Sequence, residues 1–216
     1  MSKFEYTKIP NIFKRETYGK NKLIEGEYST PELEYLSDAL WEFTEKVDGT
    51  NIRIMWDGYR VSFAGRTDKA QIPKHLLDRL NDIFGGETKE ELFEQMFGKT
   101  EMILFGEGFG EKIQNGGGLY GKVDFILFDV WVNGWWLDSA TVTDIAEKFG
   151  IKRVPIVFTG TLNDGVEYIR KHPKSGLRDA ELEGIVGRPV VQMFSRKGER
   201  IMVKIKCRDF ERKNNV

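Results

Sequence analysis

Glu45-Lys46-Val47-Asp48-Gly49-Thr50-Asn51, continuing as Ile52-Arg53-Ile54-Met55-Trp56, Asp57-Gly58 and Tyr59-Arg60-Val61-Ser62-Phe63-Ala64, is the stretch whose reading decides the rest. Its second half is two strand-like runs around Asp-Gly, a favoured two-residue hairpin turn. Its first half puts a lysine at a strand end, entering a glycine-containing turn, a good place to expose a nucleophile. A free lysine has a pKa of roughly 10.4, so it becomes nucleophilic only if neighbouring cations or a metal lower that value. In isolation, an ordinary surface lysine in a turn would read the same way.

Upstream, Ser29-Thr30-Pro31 before residues 32–40 reads as a capped helix start with Pro at the first helical position. Downstream, 73–84 and 88–97 carry helical spacing of apolar residues on either side of Gly85-Gly86, and Thr88 with Glu91 fits a capping box. A strand is expected at 102–105, then a glycine-rich loop over 106–121. A second hairpin, 124–131 with 135–137, turns at Asn133-Gly134, and its apolar run suggests a central strand. Helices follow at 139–149, stopped by Gly150, and at 163–171, stopped before Pro173. Residues 183–188 and 200–206 are extended. In the latter, alternation sends Ile201, Val203 and Ile205 to the core and leaves Lys204 and Lys206 together on the other face. Two ammonium groups on one face suit a phosphate, although alternating lysines also protect edge strands. No internal repeat, low-complexity tract or linker interrupts the chain, so a single α+β domain over 1–216 is the simplest organisation.

Hydrophobic residues make up 40% and charged residues 31%, the values of a folded globular protein. With a net charge of −1, a polyanionic partner must be held by local clusters of Lys and Arg. A single cysteine, Cys207, excludes an internal disulfide and a cysteine-based zinc site, and it reads as a packing residue. Only two histidines are present, so a divalent ion would have to sit on carboxylates and substrate phosphates. Charges near the N-terminus and the lack of any long apolar run argue against a signal peptide or membrane span. A cytoplasmic location, no membrane partner and a monomeric state are expected.

The order of short motifs adds to this. Lys46-Val47-Asp48-Gly49-Thr50-Asn51, Gly65-Arg66, Phe105-Gly106-Glu107-Gly108, Phe128-Asp129, Glu183-Gly184-Ile185-Val186 and Lys204-Ile205-Lys206 follow one another along the chain. This series resembles the ordered motifs of the covalent nucleotidyltransferase superfamily, which comprises DNA ligases, RNA ligases and mRNA capping enzymes. Asn51 stands where DNA ligases and capping enzymes usually have Arg and RNA ligases usually have Asn. The first motif is most similar to that of phage-type RNA ligases sealing nicks in duplex RNA, with Asp48 in place of their usual His.

The resemblance implies antiparallel sheets flanked by helices, with the nucleotide between them, and an ATP-dependent RNA ligase acting on RNA ends or nicked duplex RNA. It further implies that Lys46 attacks the α-phosphorus of ATP and carries AMP, and that Lys204 and Lys206 stabilise charge on the α-phosphate. Glu107 would bind ribose hydroxyls, Phe128 would stack on adenine, and Arg66 would engage phosphate or the RNA end. Glu183 would help to hold Mg²⁺ or Mn²⁺, and Glu45 and Asn51 would complete the nucleotide-binding set. Phe128 also reads as plain core within Phe125-Ile126-Leu127-Phe128, and Asp129 as a metal-shell or structural carboxylate. Trp131, Trp135 and Trp136 read as hairpin packing or as base-stacking surfaces. No separate C-terminal domain is expected after Lys206. The alternatives are a DNA ligase, a capping guanylyltransferase, or a non-catalytic module binding RNA ends or nucleotide. Retention of Lys46, Glu107, Glu183, Lys204 and Lys206 opposes the last.

Overall fold

A computed structural model of the chain describes residues 5–114 and 116–210. In chain order it contains β1 (Phe13–Arg15), β2 (Leu23–Tyr28), α1 (Pro31–Tyr35), β3 (Trp41–Glu45), β4 (Thr50–Trp56) and β5 (Val61–Gly65). These are followed by α2 (Lys74–Phe84), α3 (Glu87–Phe97), β6 (Met102–Phe109), β7 (Asp124–Val132), β8 (Trp135–Trp136), α4 (Ser139–Phe149) and β9 (Lys152–Arg153). The last elements are β10 (Ile156–Gly160), α5 (Leu162–Arg170), β11 (Gly184–Pro189) and β12 (Val203–Lys206). Contacts divide the chain into two compact units, unit 1 from Met1–Tyr6 and Asp48–Val154, and unit 2 from Thr7–Val47 and Pro155–Val216. The architecture is α+β, and its strands pair antiparallel except where β9 runs parallel to β7; the isolated Asn11–Lys204 bridge is parallel as well. Among the described residues no helix is long and apolar enough to cross a membrane.

Unit 1 is built on a sheet of order β5-β4-β6-β7-β8. One face carries Ile52, Ile54, Leu104 and Leu127, and these share a buried cluster with residues of α2, α3 and α4. α2 buries Leu76, Leu80 and Phe84, one residue per turn on a single stripe. α4 buries Val142, Ile145, Ala146 and Phe149, starts on the Asp138 carboxylate accepting from the Thr141 N–H, and stops at Gly150 in the left-handed region. Phe93 and Phe149 meet with ring centroids 4.5 Å apart, and each fully buried phenylalanine contributes about 1.5–3 kcal/mol.

Unit 2 contains a sheet of order β10-β3-β11-β12 and the two-stranded β1–β2 hairpin. The open edge of β12 is joined by the chain around Asn11, where the Lys204 N–H donates to the Pro10 carbonyl at 2.9 Å and the Ile12 N–H to the Lys204 carbonyl at 3.2 Å. α5 begins with a capping box between Thr161 and Asp164 and lays Leu162, Val166 and Ile169 on Trp41, Phe43, Ile185, Val203 and Ile205. A Cβ at Gly165 would stand 2.9 Å from both the Phe43 ring and Ile205, so the helix approaches the sheet too closely for any side chain there.

Several local expectations need correcting. α1 ends at Tyr35 instead of running to residue 40, because the Leu36 carbonyl is taken by the Trp41 indole N–H and the Ala39 N–H as the chain turns into β3. β4 ends at Trp56 and β5 begins at Val61, so the connection spans 57–60 and turns at Gly58-Tyr59, not at Asp57-Gly58; the Asp57 N–H donates to the Arg60 carbonyl at 3.3 Å and its carboxylate accepts from the N–H groups of Tyr59 and Arg60. Thr88 and Glu91 form no capping box: α3 starts one residue earlier, behind Gly86 at φ 89°, with no side-chain cap. β12 begins at Val203, and residues 190–202 fold back on themselves through an isolated antiparallel bridge between Phe194 and Arg200. Strands β1, β2, β9 and β10 were not foreseen, their sequences being short or of mixed polarity.

The largest difference concerns 106–109. These residues are not loop but the second half of β6, which continues to Phe109. Their glycines are there for lack of room, not for flexibility: a Cβ on Gly106 would collide with the Phe125 ring and the Ile126 carbonyl, and one on Gly108 would stand 2.5 Å from Leu76. Gly106→Ala is therefore expected to destabilise the protein by about 1–3 kcal/mol or more, read as a lower urea midpoint at unchanged slope. A variant as stable as the parent would show that β6 and β7 are less tightly apposed.

Candidate active site

Lys46 follows β3 directly, and its position is set by the backbone before any charge is considered. Its N–H donates to the Gly184 carbonyl at 2.9 Å, which zips the chain beyond Glu45 onto the start of β11. The residue before Gly184 is Glu183, whose carbonyl accepts from the Cys207 N–H at 3.0 Å, and Gly184 pairs with Lys206. Three segments far apart in sequence thus end at one corner of the unit 2 sheet. There the Lys46 Nζ lies 2.6 Å from the Glu183 Oε2, and the Lys206 Nζ lies 3.0 Å from the Glu183 Oε1. The side chains of Lys46, Glu183 and Lys206 are 24%, 19% and 15% exposed, open enough for a substrate and dry enough for charge to matter.

Lys204 shares the non-core face of β12 with Lys206, as alternation requires, while Val203 and Ile205 are buried. Its ammonium donates to the Ile9 carbonyl at 2.8 Å. Glu45 is not brought into this cluster. It lies on the buried side of β3 with Trp41 and Phe43, and its carboxylate accepts from the Ser175 hydroxyl and, at 3.0 Å, from the Gly176 N–H. It pins the loop after α5 instead of facing the lysines.

The remaining predicted residues lie in unit 1. Asn51 and Glu107 stand directly opposite each other on β4 and β6, on the sheet face away from α2 and α3. Asn51 Oδ1 is buried and has no hydrogen-bond partner among the described residues, an acceptor available to a ligand. Gly49 allows this approach, because a Cβ there would meet the Gly108 carbonyl and stand 2.8 Å from Glu107 Cγ. Phe128 is half-buried at a β-bulge, where Phe105 pairs with Asp129 and Gly106 with Leu127, so Phe128 is the inserted residue. Arg66 is exposed just after β5, on a turn so tight that a Cβ at Gly65 would stand 2.7 Å from Ala70.

Three supporting residues escaped the sequence reading. Tyr6 packs edge-on against Phe128 with centroids 5.1 Å apart, and its hydroxyl donates to the buried Asp129 carboxylate at 2.9 Å. Asp129 is thereby a structural carboxylate. Arg53, fully buried, donates to the Gly65 carbonyl at 2.8 Å and pairs with Asp68 at 2.8 Å, fixing the turn that carries Arg66. The Tyr120 hydroxyl accepts from the Asp48 N–H at 3.0 Å and steadies the turn after the lysine. An arginine on a strand with alternating apolar neighbours was the one available signal; the other two contacts join distant segments. Trp136 packs on Tyr6 and Phe105, whereas Trp135 stays exposed.

The family model described as RNA ligase matches residues 39–206, most of the chain. The chain belongs to the RNA ligase family. No curated protein sequence matches it. Among solved structures, this RNA ligase family member resembles a mutant of the Naegleria gruberi RNA ligase with ATP and Mn, at 20% identity over 82% of this chain and 51% of that one, with a TM-score of 0.62. Another mutant of that ligase with ATP and Mn aligns over 95% of this chain and 57% of that one at 19% identity and TM-score 0.66. The same ligase with PPi gives 21%, 82%, 52% and 0.62. At these identities the likeness shows a shared fold, and the chain spans about half the length of the ligases it matches.

Beside the lysine corner, burial pushes the Cys207 thiol up to about 12, with the Glu181 carboxylate adding to the effect. At pH 8 its thiolate fraction is roughly a thousandfold below that of a free thiol. Iodoacetamide should leave native Cys207 unmodified by intact mass and label it fully in denaturant. Rapid native labelling would contradict its buried placement.

Proposed function

We propose that this chain is an ATP-dependent RNA ligase that works through a lysyl-AMP intermediate on Lys46. The observation that carries the reading is the convergence of Lys46, Glu183 and Lys206 at one corner of the unit 2 sheet. An amine attacks phosphorus only with its lone pair free, so the Lys46–Glu183 ion pair must open and Lys46 must release a proton first. The Lys46 Nζ then forms a bond to the α-phosphorus of ATP, the bond from that phosphorus to the bridging oxygen breaks, and pyrophosphate leaves with the electron pair. Lys206 and Lys204 stabilise the charge on the α-phosphate, electrostatic work of the kind that dominates phosphoryl transfer. In the next step an oxygen of an RNA 5′-phosphate displaces Lys46 from the phosphorus. A 3′-hydroxyl then attacks the activated 5′-phosphorus, and AMP is released.

For the nucleotide, the buried Asn51 oxygen and the Glu107 carboxylate opposite it support binding of hydroxyl or amino donors. Phe128, offered by the bulge, would stack on adenine, worth about 1–3 kcal/mol if it behaves as other base–aromatic contacts do. Arg66 would meet phosphate or the RNA end. The Naegleria gruberi ligase was solved with ATP and Mn, which supports ATP as the AMP donor and a divalent ion here. Among the described residues no group of three or more His, Cys, Asp or Glu gathers to hold a metal. Glu183 alone fits an ion of the Mg²⁺ type, which takes one or two carboxylates and completes its shell with substrate phosphate oxygens and water. Such an ion would supply charge neutralisation of the phosphates and would compete with Lys46 for Glu183.

Incubation with ATP and Mg²⁺ or Mn²⁺ followed by intact-mass analysis should show one AMP per chain, absent in Lys46→Ala. Lys206→Ala should keep its circular dichroism spectrum and lose about 10²–10³ in adenylation rate. Equal labelling of the Lys46→Ala variant would sink the nucleophile assignment, and labelling by GTP in place of ATP would point to capping chemistry.

A further inference from the structure

The tip of the β1–β2 hairpin has no part in the site just described, yet it is built like a contact surface. Tyr18 is 90% exposed, and among the described residues it makes no ring contact. Lys20 and Lys22 follow it, both exposed and without an ion pair among the described residues. The tip is not a loose loop. The Glu16 N–H donates to the Lys22 carbonyl at 2.9 Å, and the turn is completed by Gly19 and Asn21, both at positive φ. Arg15 locks its base, donating to the Asn21 carbonyl at 3.1 Å and to Asp209 at 2.6 Å.

The Asp209 contact fixes where the tip lies. The chain around Asn11 runs parallel to β12, so residues 12–15 advance in the same direction as 205–209. Asp209 is the third residue after Lys206, and Lys206 shares Glu183 with Lys46. The tip therefore leaves unit 2 at the same end of β12 as the reactive corner. Asp209 lies three positions after Lys206 and Tyr18 three positions after Arg15, with the Arg15–Asp209 ion pair bridging the two segments.

We propose that this tip receives an unpaired stretch of the RNA substrate, with a base stacked on Tyr18 and phosphates against Lys20 and Lys22. The inference rests on the reading of the chain as an RNA ligase. Charge complementarity favours a polyanion: Lys14 and Arg15 are paired with Glu27 and Asp209, which leaves Lys20 and Lys22 against the single acid Glu16 of residues 14–22. The exposed ring narrows the choice to a single strand, because bases within a duplex already have both faces stacked, whereas an unpaired base offers one. No aliphatic side chain is exposed on the tip to suit a protein partner.

The test measures binding of a 5′-phosphorylated single-stranded RNA and of a blunt RNA duplex across a salt series, with AMP uptake from ATP followed separately. Tyr18→Ala is expected to weaken single-strand binding at least about fivefold. Replacing both Lys20 and Lys22 with Ala should reduce the steepness of log K against log salt by about 1.4, two phosphate contacts' worth for a single strand. Blunt-duplex binding and AMP uptake should match the parent in both variants. Parental affinity and salt slope for the single strand in both variants would overturn the proposal, as would an equal loss on the blunt duplex. A parent chain that takes up no AMP, but whose single-strand affinity falls with these substitutions, would refute the ligase reading while upholding the surface.

Discussion

A single carboxylate holds two ammonium groups at the corner where β3, β11 and β12 end, and most of unit 2 serves that contact. Without Glu183, Lys46 and Lys206 would face each other as like charges in a partly dry site. The sheet makes the arrangement affordable, because backbone bonds from Lys46 to Gly184 and from Cys207 to Glu183 fix the three Cα positions independently of the side chains. Such ion pairs contribute little net stability when partly exposed. Under the proposed ligase chemistry their effect would be on reactivity: Lys46 is held in place as an ammonium group, and an incoming polyphosphate would offer both ammonium groups a replacement for the carboxylate.

In unit 1 the equivalent constraint is the β6–β7 bulge. One inserted residue lets Phe128 and Asp129 face a single partner, Phe105, and Tyr6 then fills the space beneath both with its ring and hydroxyl. An aromatic held edge-on by a neighbour whose own hydroxyl is tied to a buried carboxylate has little freedom to turn.

What the sequence made legible were features with a strict local period or a chemically specific turn. Alternation placed Lys204 and Lys206 on one face, the Thr30-Pro31 and Gly150 signals located helix ends, and Asn133-Gly134 located a hairpin, with Asn133 and Gly134 both at positive φ. The failures came where composition pointed one way and packing another. Gly106 and Gly108 looked like loop because glycine is usually flexible, yet they are strand because Phe125 and Leu76 leave no room for a side chain. Glu45 looked like a site residue because it adjoins Lys46, but neighbours in an extended chain point to opposite faces, and it went to Ser175 and Gly176. Tyr6 with Asp129 spans 123 positions, a separation at which no pattern in one sequence announces a contact.

The two units also differ in how the chain supplies them. Unit 1 is almost one unbroken run, Asp48–Val154, whereas unit 2 is assembled from both flanks of that run. The Lys46–Glu183 pair therefore closes across 137 positions, and β12 arrives later still. During synthesis, unit 1 has all but its first few contacts available as a contiguous stretch, and domains generally fold as units while the chain emerges. Lys46 meanwhile waits on an incomplete sheet, without the carboxylate and the second ammonium group that it meets in the finished fold. A nascent or prematurely ended chain would thus display Lys46 without its corner, so the Lys46–Glu183–Lys206 arrangement exists only once translation has reached Lys206.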